Sequence, residues 1–176
     1  MVALGSNQRH PRHGAPAGVL AAALRAFAAA GLNVLVVSPV IASRPLGPSR
    51  RTYANSAALV TSALPPPALL AALQQIEAAF GRRRRGQRWA ARVLDLDVVL
   101  WDGGCWASPG LIVPHRAYRE RRFVLTPLRA VAPRWRDPLT GLTPCHLEAR
   151  LTRPRPLPKR HSFRVRRAAL QLPRGP

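Results

Sequence analysis

The sequence predicts an α+β protein whose strands and helices follow one another in the order β-α-β-β-α-β. Two observations lead to this fold class. Two segments carry apolar residues at helical spacing, and a glycine follows each of them. Short runs of aliphatic and β-branched residues lie before, between and after these two segments.

The first strand and the first helix lie at the start of the chain. Residues 2–4 predict a short strand, and the Gly-Ser-Asn sequence at residues 5–7 predicts the turn after it. Residues 16–30 predict a helix, and Gly31 ends it because glycine readily adopts the left-handed conformation of a helix C-terminus. The apolar stripe of this helix consists of Leu20, Leu24 and Phe27.

The second and third strands are separated by a segment with turn composition. Residues 33–38 are short and rich in valine, which predicts a strand. Residues 41–52 contain one glycine, two prolines and three arginines, which predicts a loop. Residues 53–62 predict the third strand, and Asn55 lies on it.

The second helix and the fourth strand complete the core. Three prolines at residues 65–67 open the helix, and Gly81 ends it. Its apolar stripe consists of Leu69, Leu70, Leu73, Ile76 and Phe80. Residues 82–92 are rich in arginine and predict a loop, and residues 93–101 predict the fourth strand. This order indicates a ferredoxin-like βαββαβ core, an antiparallel sheet with helices packed on one face, and residues 111–132 add C-terminal elements to it.

The length and composition bound the organisation of the chain. A length of 176 residues and a hydrophobic fraction of 47% suit one domain with a substantial core, which we expect over residues 1–150. We find neither a signal-peptide pattern nor an apolar run of the ~18 residues that span a membrane. Cys105 and Cys145 lack metal-ligand spacing. We therefore expect a cytoplasmic monomer with reduced thiols and no association with a membrane.

The positive charge is concentrated towards the C-terminus. The chain has 28 basic and seven acidic residues, for a net charge of +21. Residues 151–176 contain eight basic residues, several prolines and no acid, which predicts a disordered tail that binds polyanions weakly and in a salt-dependent way. Zinc spacing, a helix-turn-helix pattern and an aromatic stacking platform are all missing. A basic nucleic-acid-binding protein on the same scaffold stays the alternative from another functional class.

Two of the scarce acidic residues, Asp95 and Asp97, stand one residue apart in an apolar run. Because successive side chains of a strand point to opposite faces, both aspartates share one face. Two carboxylates on one face repel each other unless a positive charge lies between them. A divalent cation could supply this charge, since paired carboxylates commonly hold Mg²⁺ next to substrate phosphates. The pattern therefore indicates metal-assisted phosphoryl transfer, and a salt-bridge cluster with the neighbouring arginines is the alternative.

An ordered set of motifs resembles one known family. Residues 88–97 read Arg-Trp-Ala-Ala-Arg-Val-Leu-Asp-Leu-Asp. The 6-hydroxymethyl-7,8-dihydropterin pyrophosphokinase family has Arg-Trp-Gly-Pro-Arg-x-x-Asp-Leu-Asp. Further blocks that resemble the family lie, in its order, at residues 3–7, 45–47, 53–55, 76–77, 81–82, 113–115 and 121–125. The resemblance covers residues 2–133. It implies transfer of pyrophosphate from ATP, as co-substrate, to a pterin alcohol in tetrahydrofolate biosynthesis, with release of AMP and with ATP binding before the pterin.

The resemblance also implies roles on the ATP side of the site. Asp95 and Asp97 would hold two Mg²⁺ ions, and Arg82 and Arg92 would stabilise charge on the phosphates, as the planar guanidinium suits. The other implied ATP contacts are Gln74, Glu77, Arg84, Arg88, Trp89, His115 and Arg121. Glu77 could instead form an ordinary ion pair on the surface of the second helix.

The implied pterin contacts are Ser43, Leu46, Tyr53, Asn55 and Phe123. A flat heteroaromatic ring needs stacking partners and in-plane hydrogen bonds. Tyr53 and Phe123 could flank such a ring, or they could simply be core residues. The amide of Asn55 offers both a donor and an acceptor to the edge of a pterin.

Three departures from the family motifs bear on the catalytic efficiency of the chain. Residues 7–11 read Asn-Gln-Arg-His-Pro where the family usually continues Asn-Leu-Gly-Asp. Ala90 and Ala91 replace Gly-Pro, which changes the stiffness of the loop before Arg92. Residues 116–117 replace Pro-Arg after the histidine. None of these changes removes a carboxylate, yet together they leave open an inactive paralogue as a second alternative.

Overall fold

The computed structural model describes residues 1–45, 51–81 and 92–153. These residues form seven strands, four α-helices and one 3₁₀ turn, Tyr118–Glu120. The strands are β1 Val2–Ser6, β2 Asn33–Val37, β3 Ile41–Ser43, β4 Tyr53–Thr61, β5 Asp95–Val98, β6 Trp106–Ser108 and β7 Leu111–Val113. The helices are α1 Pro16–Ala29, α2 Pro66–Ala79, α3 Arg122–Val131 and α4 Pro144–Thr152.

The main sheet has the predicted ferredoxin-like order. Its strands lie side by side as β2-β4-β1-β5, and every neighbouring pair is antiparallel. β3 lies beyond β2 along the same side of β4, so β2 and β3 together act as one interrupted strand. β6 and β7 form a separate two-stranded sheet. The predicted α+β class and core order are therefore confirmed.

The prediction that residues 41–52 form a loop was wrong at its start. Ile41, Ala42 and Ser43 pair with the first residues of β4 as strand β3. The physical reason is that the prolines and the glycine of this segment begin only at Pro45. The residues before Pro45 can be extended, and β4 offers them a free row of backbone donors and acceptors.

α1 and α2 pack on one face of the sheet, as the apolar spacing predicts. Gly31 and Gly81 follow the two helices with φ of 72° and 83°, the left-handed conformation expected of helix-ending glycines. The cluster between the helices and the sheet includes Val2, Leu4, Leu20, Phe27, Leu73, Ile76, Leu96 and Val98. Burial of each large apolar side chain stabilises the fold by roughly 1.5–3 kcal/mol.

The C-terminal elements cover part of the second face of the sheet. Leu125 and Leu128 of α3, Leu147 of α4 and the fully buried Tyr118 form a second cluster with Ala57 of β4. α4 runs to Thr152, so the first two residues of the predicted tail are helical, and residues 154–176 lie outside the described part of the chain. No helix among the described residues is long and apolar enough to cross a membrane.

β5 is shorter than the predicted fourth strand. It covers Asp95–Val98 only, whereas the prediction extended over residues 93–101. The backbone N–H groups of Val99 and Leu100 bind the carbonyl of Met1, and the carbonyl of Val99 accepts from the N–H of His115. The apolar run thus continues past the sheet ladder, and its end ties the C-terminal elements to the core.

Candidate active site

The two aspartates and Asn55 lie on one face of the sheet. In the register of the strands, Gly5 of β1 stands opposite Asn55 on one side and opposite Asp95 on the other. Asp97 stands opposite Ala3. The side chains of Leu96 and Val98 point to the other face and are buried there. The predicted sharing of one face by Asp95 and Asp97 is therefore confirmed.

This face is also the one that α3 covers. Ala3, Ala57 and Leu59, further along the same face, pack in the second cluster with Leu125 and Leu128 of α3. Asp95 and Asp97 are only half-buried. The face is thus divided between an apolar part under α3 and a polar part at Asn55, Asp95 and Asp97.

The charges around the two carboxylates differ. One guanidinium nitrogen, Nη1 of Arg92, binds both oxygens of Asp95 at 2.7 Å. Burial lowers the pKa of Arg92, but its interactions with Asp95 outweigh this, so the pKa is raised overall. Within the described residues the carboxylate of Asp97 makes no hydrogen bond and no ion pair. Among the described residues, the salt bridge that the alternative hypothesis requires is therefore present at Asp95 and not at Asp97.

Three basic side chains lie near Asp97 but form no hydrogen bond or ion pair with it. Burial raises the pKa of Asp97, and the neighbouring Asp95 carboxylate raises it further. His115, Arg121 and Arg92 oppose this rise, so all three are close enough to interact with Asp97 electrostatically. The site therefore combines two carboxylates with a surrounding set of donors suited to an anion.

Glu77 lies against the backbone between the two aspartates. It is buried, and its Oε1 accepts a hydrogen bond of 2.7 Å from the backbone N–H of Leu96. β5 is the last strand of the sheet, so this N–H would otherwise have no ladder partner. Glu77 thus secures the strand that carries both carboxylates, a role that the sequence analysis missed. Gln74 is half-buried on the same helix, and the ATP contacts of both residues stay predictions.

Asn7 holds the backbone of Arg92 from two sides. Its Oδ1 accepts from the N–H of Arg92 at 2.8 Å, and its own N–H donates to the carbonyl of Arg92 at 3.1 Å. Asn7 is buried at the end of β1. No sequence pattern predicted a role for this residue beyond its position in a family block. Asn7 fixes the point at which residue 92 rejoins the sheet.

His115 and Arg121 border the site from the C-terminal elements. Nδ1 of His115 accepts from the N–H of Ala117 at 3.3 Å, so its Nε2 carries the proton and can donate to a ligand. Arg121 precedes α3, and its guanidinium carbon lies 6.0 Å from the ring centre of Phe123. His115 and Arg121 thus offer hydrogen-bond donors at one edge of the site, and Arg121 lies beside the ring of Phe123.

The predicted pterin residues lie on β3, β4 and α3. Nδ2 of the buried Asn55 donates to Oγ of Ser43 at 2.9 Å. Tyr53 is half-buried, and burial raises the pKa of its hydroxyl although Arg92 opposes this. Phe123 is half-buried in the first turn of α3, so neither aromatic ring is fully absorbed into the core. Leu46, Arg82, Arg84, Arg88 and Trp89 lie outside the described residues.

Comparison with known proteins identifies the family. A sequence model described as 7,8-dihydro-6-hydroxymethylpterin-pyrophosphokinase (HPPK) matches residues 1–133. The relatives named 2-amino-4-hydroxy-6-hydroxymethyldihydropteridine pyrophosphokinase include three bacterial proteins. The Pseudomonas aeruginosa protein is 43% identical over 139 residues, which are 78% of this chain and 82% of that protein. The Methylorubrum extorquens protein is 39% identical over 132 residues, which are 74% and 80% of the two chains.

The third relative, from Synechocystis, is 39% identical over 114 residues, which are 65% of this chain and 58% of that protein. The family match ends at residue 133, so residues 134–153 of the described structure lie beyond it. The motif resemblance found in the sequence is confirmed: this chain belongs to the 7,8-dihydro-6-hydroxymethylpterin-pyrophosphokinase family.

Proposed function

We propose that this chain transfers pyrophosphate from ATP to 6-hydroxymethyl-7,8-dihydropterin and releases AMP, with Mg²⁺ held at Asp95 and Asp97. The transferase reaction of folate biosynthesis follows from membership of the family. The metal ions and the roles of single residues are the further parts of the proposal. The observation that carries them is the pair of carboxylates on one face, of which Asp97 makes no hydrogen bond or ion pair among the described residues.

The two carboxylates fit Mg²⁺ by their chemistry. Mg²⁺ prefers oxygen ligands and usually keeps only one or two protein carboxylates, with phosphates and water in its other positions. No group of three or more His, Cys, Asp or Glu side chains that could hold a metal occurs within the described ranges. A shared shell of protein and ATP oxygens therefore suits this site better than a closed protein cage. When bound, the two proposed ions would supply positive charge to the polyphosphate.

The basic side chains beside Asp97 are suited to the phosphates. Arg92 and Arg121 can bind phosphate oxygens through their planar guanidinium groups, and Nε2 of His115 can donate a hydrogen bond. Arg82 would contribute in the same way from outside the described residues. In the proposed reaction the hydroxymethyl oxygen attacks the β-phosphorus in line, and the bond from this phosphorus to the α-phosphate oxygen breaks. Aligned charges are the main requirement of such a transfer.

The pterin would lie next to this phosphate site, over β3 and β4. Asn55 is held by Ser43, which orients its amide towards a planar ligand. Tyr53 and Phe123 would contact the faces of the ring, and Leu46 would add an apolar contact. The half-buried state of both rings supports this role over a purely structural one.

Two alternatives remain as outcomes of experiment. A nucleic-acid-binding function is opposed by the carboxylate pair, which would repel a phosphate backbone wherever metal is absent. An inactive member of the family is the other alternative, because Ala90 and Ala91 replace the usual Gly-Pro.

We expect the purified protein to form AMP from ATP only when both Mg²⁺ and 6-hydroxymethyl-7,8-dihydropterin are present. The pyrophosphoryl group should appear on the pterin in an amount equal to AMP, measured by chromatography of both products. Addition of EDTA or omission of the pterin is the control. Formation of ADP would contradict the proposal, and binding of both substrates without turnover would indicate the inactive paralogue.

We also propose that residues 1–150 hold the whole catalytic domain and that the basic tail after α4 is dispensable for chemistry. A chain ending at Arg153 keeps α4 and removes seven of the eight basic residues of the tail. Its turnover should equal that of the full chain, whereas its salt-sensitive retention on heparin should fall, because electrostatic binding follows the number of cations. A large loss of turnover would mean that the tail belongs to the site.

We also propose that the protein is a monomer in the cytoplasm. Cys105 and Cys145 are both free thiols and exposed, which suits a reducing compartment. A net charge of +21 opposes self-association.

A further inference from the structure

Gly5 occupies the middle of the candidate active site. It lies in β1, between Asn55 of the pterin side and Asp95 of the metal side. A Cβ atom built on Gly5 would lie 3.7 Å from Oδ1 of Asn55 and 3.9 Å from Cβ of Asp95. A side chain at this position would therefore project onto the face of the sheet that carries the site.

The fold itself does not require glycine at this position. The backbone of Gly5 is not in the left-handed region, and both distances are ordinary van der Waals contacts. An alanine would therefore fit without displacing a neighbour. Glycine weakens a strand relative to alanine, because it loses more conformational freedom on folding and has no side chain to pack. A glycine inside a strand often marks a place where a ligand approaches the backbone closely.

The position of Gly5 along the strand distinguishes it from its neighbour on the same face. Ala3, two residues earlier, packs in the cluster under α3. Gly5 lies instead between the polar side chains of Asn55 and Asp95. The backbone of Gly5 thus lies beneath the site, between the proposed pterin side at Asn55 and the proposed metal side at Asp95.

We propose that Gly5 is a specificity-determining residue, whose bare backbone lets the 6-hydroxymethyl arm of the pterin pass from Asn55 to the phosphates at Asp95. The inference rests on the proposed function, because it assigns the pterin to the Asn55 side and ATP to the Asp95 side. Gly5 acts by leaving space. A single added methyl group fills the path of the arm and leaves the contacts of the pterin ring intact.

The test is the Gly5→Ala variant with two ligands. Binding of 6-hydroxymethyl-7,8-dihydropterin, measured by titration with a non-hydrolysable ATP analogue and Mg²⁺ present, should weaken at least tenfold. Binding of 7,8-dihydropterin, which lacks the arm, should stay at the wild-type value. Turnover with the hydroxymethyl substrate should fall by a similar factor or more. The melting temperature should be unchanged or higher, because alanine restrains the unfolded chain.

Ser6→Ala is the matched control on the same strand. Ser6 is buried and points to the opposite face of the sheet, so this variant should bind both pterins as the wild type does. Wild-type affinity of Gly5→Ala for the hydroxymethyl compound would overturn the inference. A lower melting temperature with equal loss of both pterins would also overturn it, since glycine would then serve the strand itself. A wild-type protein that binds both pterins but forms no AMP refutes the proposed reaction, and the two titrations still decide the role of Gly5.

Discussion

Asp95→Asn and Asp97→Asn should each lower turnover about 10²-fold or more, the scale observed when a key electrostatic group of an active site is lost. Each substitution keeps the shape of the side chain and removes one negative charge. If both carboxylates hold Mg²⁺, either change weakens the charge that positions the metal and the polyphosphate. Turnover measured at several Mg²⁺ concentrations should show that more metal only partly restores the activity of each variant.

The two variants should remain folded, but for different reasons. Asp97→Asn removes a charge that burial and Asp95 both disfavour, so its melting temperature without metal should equal or exceed that of the wild type. Asp95→Asn loses the ion pair with Arg92, whose side chain is 38% exposed, so the loss should be at most about 1 kcal/mol. The melting temperature of the wild type should rise more on addition of Mg²⁺ and ATP than that of either variant, because binding stabilises the folded state.

The salt-bridge hypothesis gives the opposite pattern. If the aspartates serve only as partners of arginines, stability should fall while turnover per folded molecule barely changes. Asp102→Asn is the matched control, since it removes the same charge from an exposed residue shortly after β5. Near-normal turnover of both Asp95→Asn and Asp97→Asn would end the two-metal proposal for this chain.

The features that the sequence predicted correctly depend on local pattern. Apolar spacing and the glycines at positions 31 and 81 located the two helices to within a few residues. The alternation around Asp95 placed both carboxylates on one face, because side-chain direction in a strand follows directly from the sequence. The ordered motifs then indicated the family, and the order of the strands followed from the order of elements.

The features that the sequence did not reveal depend on contacts between distant residues. The pairing of β3 with β4 required a partner strand, and neither composition nor spacing indicates one. Glu77 binds a backbone N–H 19 residues away, and Asn7 binds one 85 residues away. A single glutamate or asparagine carries no signal for such a bond. The sequence placed Gly5 only in a predicted turn and in a family block, and its proposed role at the site depends on its sheet neighbours Asn55 and Asp95.

The contacts of the C-terminal elements are the other part of the structure that no local sequence pattern indicated. Asp137 is 1% exposed and lies beyond the family match. Its carboxylate accepts hydrogen bonds from the hydroxyl of Tyr118, the guanidinium of Arg119 and the backbone N–H of Leu139. Tyr118 is fully buried in the second cluster, and burial and the bond to Asp137 raise its pKa, so it remains a protonated donor. Asp137 therefore joins the segment before α4 to the 3₁₀ turn before α3.

Asp137→Asn should lower the free energy of unfolding by roughly 3 kcal/mol at neutral pH, because removing one partner of a buried ion pair leaves the other charge uncompensated. The guanidinium of Arg119 is mostly buried, and its carboxylate partner is fully buried. Turnover per folded molecule should stay close to the wild-type value, since the hydrogen bonds of Asp137 within the described residues go to Tyr118, Arg119 and Leu139, outside the candidate site. Denaturant unfolding and the AMP assay on the same samples measure both quantities.

The cause of the stability difference between the wild type and Asp137→Asn can be identified from its pH dependence. Burial alone would raise the pKa of Asp137, but the bonds from Arg119, Tyr118 and Leu139 prevail and lower it to about 2. An unfolded aspartate titrates near pH ~3.9. The folded pKa is the lower one, so the carboxylate stabilises the fold above pH ~4, and this contribution is lost as the pH falls towards about 2. The contribution of the ionised Asp137 carboxylate to the free energy of unfolding is about 2 kcal/mol.

The stability curves of the wild type and Asp137→Asn should therefore converge on acidification, because a protonated Asp137 and an asparagine are both uncharged. Asp102→Asn, at an exposed position, should follow the wild type throughout this range. If the wild type and Asp137→Asn have the same free energy of unfolding at neutral pH, Asp137 contributes no net stability. A difference that persists unchanged below pH ~2 would assign the effect to side-chain packing, because the charge is lost at that pH.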